Sequence, residues 1–70
     1  MIDVAAERGR LEKDRTAAAQ ERERALAKLG NAQFVGKAPA AVIERTSARL
    51  AEAEADLTRI AAQLAALPSA

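Results

Sequence analysis

Residues 31–39, Asn-Ala-Gln-Phe-Val-Gly-Lys-Ala-Pro, interrupt two long runs built almost wholly from Ala, Glu, Arg, Leu and Lys. Gly30, Gly36, Pro39 and the only aromatic residue, Phe34, fall in or beside this stretch. Proline lacks an N–H and clashes with the turn before it, and glycine is a poor helix former, so one continuous helix is not expected to cross the segment. The expectation is an all-α fold, an antiparallel two-helix coiled-coil hairpin. The whole of residues 1–70 then forms a single arm: a helix over about 3–29, a turn over 30–38 and a helix over about 39–67.

Local signals agree with those limits. Asp3 suits an N-cap, and Asp3 and Glu7 put negative charge at the positive end of the helix dipole. Gly30 offers a left-handed position after the first helix, and Asn31 would serve as well. Lys28 suits the C-terminal dipole. Pro39 fits the first helical position, where the missing N–H is unpaired in any case. Pro68 ends the second helix, leaving Ser69 and Ala70 to fray.

The second helix carries apolar or small residues at alternating steps of three and four: Ile43, Thr46, Leu50, Ala53, Leu57, Ile60, Leu64 and Leu67. Such a stripe is a coiled-coil seam. The first helix matches it with Val4, Arg8, Leu11, Arg15, Ala18, Arg22, Ala25 and Leu29. Folding at the turn sets Leu29 against Ile43, Arg22 against Leu50, Ala18 against Ala53, Leu11 against Ile60 and Val4 against Leu67. Arg8, Arg15 and Arg22 are expected to lay their stems over Leu64, Leu57 and Leu50 while the guanidinium groups reach water. Glu12 lies within a turn of both Arg8 and Arg15 and could pair with either.

Composition removes several functions. With no Cys and no His, the chain has no thiol chemistry, disulfide, imidazole catalysis or Cys/His zinc ligation. The hydrophobic content is 50%, but much of it is alanine, which buries little area. The core is thin and the isolated hairpin is expected to be marginal, with room neither for a pocket of catalytic size nor for a membrane span. No apolar run follows Met1, so the start does not read as a signal peptide. Glycine spacing is wrong for a phosphate-binding loop, and no nucleophile–base set is found.

Net charge is only +1, but it is polarised along the chain. Arg22, Arg24, Lys28, Lys37, Arg45 and Arg49 outnumber Glu23 and Glu44 between Arg22 and Arg49, and the remainder is net acidic. On a helical wheel Arg24 and Lys28 lie to one side of the first seam, and Arg45 and Arg49 to the matching side of the second. Antiparallel packing merges those sides into one face. The expected binding set for a polyanion is therefore Arg22, Arg24, Lys28, Lys37, Arg45 and Arg49, with Phe34 either stacking on a base or, with Val35, capping the hairpin on Leu29, Val42 and Ile43.

Ile2-Asp3-Val4-Ala5-Ala6-Glu7, Arg10-Leu11-Glu12-Lys13, and Asn31 through Pro39 followed by Val42 and Glu44-Arg45 together resemble the C-terminal arm of the valyl-tRNA synthetase family. The Asn-x-x-Phe-Val-x-Lys-Ala-Pro turn is the specific part, since many unrelated coiled coils share the flanking residues. Only Phe34 through Pro39 is carried over by the match, and the family usually has apolar residues where Arg8, Arg15 and Arg22 stand here. The resemblance implies an antiparallel coiled coil that contacts the outer corner of tRNA, where the D and T loops meet. It implies valine-specific tRNA and the rest of the parent synthetase as partners, and the cytoplasm as compartment. No cofactor is expected in this arm; ATP and magnesium would serve the parent ligase. Two rivals differ in class. One is a structural module whose hairpins self-associate weakly. The other is a membrane-surface helix, which lacks the broad apolar face and aromatic anchors that such binding needs.

Overall fold

A computed structural model describes residues 3–68. Three helices follow in order: α1 over Val4–Leu29, α2 over Ala32–Lys37 and α3 over Ala40–Ala66. α1 and α3 pack side by side as an antiparallel hairpin measuring 52 × 14 × 13 Å, and α2 closes one end against α1.

Asp3 opens α1 in the extended region, and its side chain accepts from the Ala6 N–H at 3.1 Å. The seam follows the three-four spacing. Leu11 and Ile60 are each 2% exposed, Ala25, Thr46 and Ala53 are buried, and Val4, Arg8, Ala18, Arg22, Leu29, Ile43, Leu50, Leu57, Leu64 and Leu67 are half-buried. The buried Thr46 hydroxyl donates to the Val42 carbonyl at 2.8 Å, so one turn of helix satisfies it. The register is visible in two shallow surface grooves. One is lined by Asp14, Ala18 and Glu21 of α1 and by Glu52, Ala53 and Asp56 of α3. The other sets Glu7 and Leu11 beside Gln63 and Leu67.

Along the arginine stripe Arg15 is exposed while Arg8 and Arg22 are half-buried, and Leu50, Leu57 and Leu64 are all half-buried. Glu12 makes no ion pair with Arg8 or Arg15 among the described residues; Arg10 is the arginine that pairs here, with Glu7 and Asp14. A three- or four-residue step holds Arg10 beside both carboxylates on one helix face, which gives the seam arginines no share in the network.

The turn also differs from expectation. Gly30 is right-handed, at φ −85° and ψ −5°, with its N–H on the Leu26 carbonyl at 2.8 Å. No described residue has positive φ. The chain reverses instead through two extended junctions around a short helix. Asn31, at ψ 110°, caps α2 by accepting from the N–H groups of Gln33 and Phe34 at 3.0 and 3.3 Å. Ala38 is held extended at ψ 142° by the proline that follows. Pro39 stands one position outside α3 as its N-cap, at ψ 151°, and its carbonyl accepts from Val42 and Ile43. Leu67, extended before Pro68, closes α3 for the same reason as Ala38. The expected fraying at Ser69 and Ala70 lies outside the described residues.

Candidate nucleic-acid interface

Helical geometry divides the rod into two broad faces, one on each side of the seam. The groove that runs along the first face is lined by Asp14, Ala17 and Glu21 from α1 and by Arg49, Glu52, Asp56 and Arg59 from α3. Arg24 and Lys28 continue the α1 row toward the turn, three and seven residues beyond Glu21. Arg45 continues the α3 row one turn beyond Arg49. Arg24, Lys28, Arg45 and Arg49 thus come together on one face beside the turn, and all four are exposed.

Their pairing differs. Arg24 lies 3.5 Å from Glu21 across one helical turn. Lys28, Arg45 and Arg49 have no carboxylate within 4.0 Å among the described residues. Like-charge spacing at i,i+4 in both helices destabilises a free helix by a few tenths of a kcal/mol. An anion lying across the face relieves that repulsion and meets cations that need not first leave a partner.

Arg22 is placed apart from these four. It sits at the seam, on the side turned away from them, half-buried, with Nε 3.7 Å from Glu54 across the hairpin and Nη1 3.2 Å from Glu23. Wheel angle is the signal that separates it. Arg22 flanks the seam on the side away from Arg24 and Lys28, so closeness in sequence overstates its closeness in space.

At the closed end, Lys37 is the exposed last residue of α2. Phe34 is half-buried. Val35, expected to help cap the hairpin with Phe34, is instead 44% exposed, and Leu26 is 37% exposed. Sequence reasoning passed over Leu26. Its position just outside the apolar seam could have marked it.

The base of the first face is differently built. Arg10 donates to both Glu7 oxygens and lies 3.4 Å from Asp14. The hydrogen bond from Arg10 holds the Glu7 carboxyl below its ordinary pKa, and the same bond raises Arg10. No group of three or more acidic side chains converges as a metal site among the described residues. No helix among them is long and apolar enough to cross a membrane.

Residues 3–68 match the family model described as Valyl tRNA synthetase tRNA binding arm. The valine–tRNA ligase of Streptomyces coelicolor is 54% identical over 70 residues, covering 100% of this chain and 8% of that protein. That of Corynebacterium jeikeium is 49% identical over 69 residues, covering 99% of this chain and 7% of the protein. That of Caulobacter vibrioides is 47% identical over 68 residues, covering 97% and 8%. The chain therefore spans less than a tenth of the length of these curated relatives. No solved structure gives a significant match.

Proposed function

This chain belongs to the family of valyl-tRNA synthetase tRNA-binding arms, and on that premise we propose that its basic end holds valine tRNA at the outer corner of the folded RNA. The observation that carries the reading is the convergence of Arg24, Lys28, Arg45 and Arg49 on one exposed face, three of them without a carboxylate partner among the described residues. Guanidinium and ammonium groups so placed contact phosphate oxygens. Such contacts fix position and add affinity but read little sequence. Recognition is then of RNA shape, as for most folded RNA.

Each element has a part. α1 and α3 form a stiff shaft that carries the cations away from its base. α2 presents Lys37 to a further phosphate, and Val35 gives the end an apolar contact point. Phe34, half-buried, serves mainly to pack the closed end. Arg22 reaches RNA only where the RNA wraps past the edge of the rod. The arm's role is binding, with no cofactor of its own. Aminoacylation, with ATP and magnesium, belongs in this reading to a parent ligase in the cytoplasm, and loss of the arm should weaken tRNA binding while leaving valine activation intact.

The test is binding of the chain to folded valine tRNA over a range of salt. Five phosphate contacts, Lys37 included, predict a log–log salt slope of roughly −3.5 to −4.5. A variant with Arg24, Lys28, Arg45 and Arg49 all changed to Ala should bind far more weakly, its slope cut to roughly −1 by the one contact left to Lys37. A helical chain that binds tRNA no better than that variant would refute the proposal.

A further inference from the structure

We propose that the acidic part of the same face, Asp14, Glu21, Glu52 and Asp56, sets where RNA contact stops and confines the footprint to the turn-proximal end. The inference rests on the RNA-binding reading above. It concerns a part of the chain that reading leaves unused.

The surface between the two helices does not stop at Arg49. It continues as an open groove floored by Ala17, Ala18 and Ala53, whose small side chains leave room for a nucleic-acid backbone. Sterically, RNA has nothing to prevent it lying along the whole rod. Electrostatically it does, because Asp14, Glu21, Glu52 and Asp56 all line that groove.

The state of the cations is a second and separate observation. The shaft half of the face has arginines of its own, Arg10 and Arg59. Arg59 is held 3.5 Å from Asp56, and Arg10 is held by Glu7 and Asp14. At the border, Arg24 is held by Glu21. Beyond it, Lys28, Arg45 and Arg49 are unpaired among the described residues. The shaft arginines Arg10 and Arg59 are therefore occupied and three of the four tip cations are available, although Arg8, Lys13 and Arg15 elsewhere on α1 also have no carboxylate within 4.0 Å among the described residues. Distance keeps the far ends of the two zones from cancelling. Asp14 lies about 21 Å along the helix axis from Lys28 at 1.5 Å per residue, well beyond a Debye length of about 8 Å at physiological salt. Asp14 thus leaves the field of Lys28 nearly intact, whereas Glu21 and Glu52, three residues from Arg24 and Arg49, form the border itself; each carboxylate repels a phosphate laid beside it.

The test uses Glu21→Gln, Glu52→Gln and Asp56→Asn together. It also uses a charge-retaining control with Glu52→Asp and Asp56→Glu. Two probes are compared: folded valine tRNA, and an RNA duplex of arbitrary sequence long enough to cover the whole face. The unaltered chain should favour tRNA. The neutralised variant should bind the duplex several-fold more tightly. Its salt slope for the duplex should steepen by roughly 1–2, as released Arg24 and Arg59 each gain a phosphate. The control should behave as the unaltered chain. Circular dichroism of each sample establishes that all are helical. Duplex affinity and slope unchanged by neutralisation, in a chain that does bind tRNA, would overturn the footprint proposal alone. The same gain in the charge-retaining control would overturn it too, by assigning the effect to packing. No tRNA binding by the unaltered chain would overturn both this inference and the reading beneath it.

Discussion

Truncating Ile60 to Ala should remove most of the stability of the isolated hairpin. Ile60 and Leu11 are the largest fully buried side chains among the described residues, and the seam register sets them opposite each other. Around them the α1 seam supplies mainly alanine and arginine, so little else fills that level of the rod. The substitution deletes Cγ1, Cγ2 and Cδ1. At ~0.8 kcal/mol per buried carbon the transfer loss is ~2.4 kcal/mol, and the space left behind raises it to about 3 kcal/mol. Alanine's better helix propensity returns a few tenths. A domain of this length has roughly 3–10 kcal/mol in all at ~0.05–0.15 kcal/mol per residue, and so thin a core belongs near the lower end. The internal control is Leu57→Ala. Leu57 is half-buried opposite the exposed Arg15, and its truncation should cost only about 1–1.5 kcal/mol. Urea titration followed by far-ultraviolet circular dichroism measures both. Ile60→Ala losing no more stability than Leu57→Ala would refute the register and the burial argument built on it.

Other outcomes follow from the same structure. Gly9 lies inside α1 and Gly36 inside α2, and a Cβ at either meets nothing within 4 Å. Gly9→Ala should therefore stabilise the chain by about 0.5–1 kcal/mol, read as a higher melting temperature, and Gly36→Ala should slow amide exchange in α2. Asn31→Ala removes the acceptor for the Gln33 and Phe34 N–H groups, should cost about 1 kcal/mol, and should speed exchange at those two amides. Because Arg10 lowers the Glu7 pKa in the folded chain, the contribution of that pair is complete above the ordinary value of 4.5 and is lost as pH falls through the depressed one. A carboxyl-resolved NMR titration should give Glu7 a midpoint below that of an ordinary glutamate, and Arg10→Ala should move it back up.

The helices and their seam were legible because coiled-coil packing repeats along the chain. Each of Leu11, Thr46, Ala53 and Ile60 reports the same period, so the pattern survives three interruptions by arginine. The basic face was legible for the same reason, since wheel angle and antiparallel packing fix which sides merge. The turn was not, because it depends on single residues. Gly36 and Gly30 argue against helix by propensity, yet one Asn31 side chain satisfying two N–H groups is enough to start α2. With a helix there, no left-handed glycine is required, and the pre-proline restriction on Ala38 completes the reversal. Arg15 is the seam arginine that stays exposed, and pairing does not account for it, because Arg8 also has no carboxylate within 4.0 Å among the described residues and is half-buried.

The proportions of the rod, 52 Å long and no more than 14 Å across, give it the mechanics of a pointer. A tilt of a few degrees where Val4 and Leu67 meet sweeps Lys37 through several ångströms, whereas rotamer changes at the far end move its charges hardly farther than their own side chains reach. Displacements at the Val4–Leu67 end are therefore amplified at the other. Substitutions near Val4 and Leu67 can shift the cations of the far end without touching them.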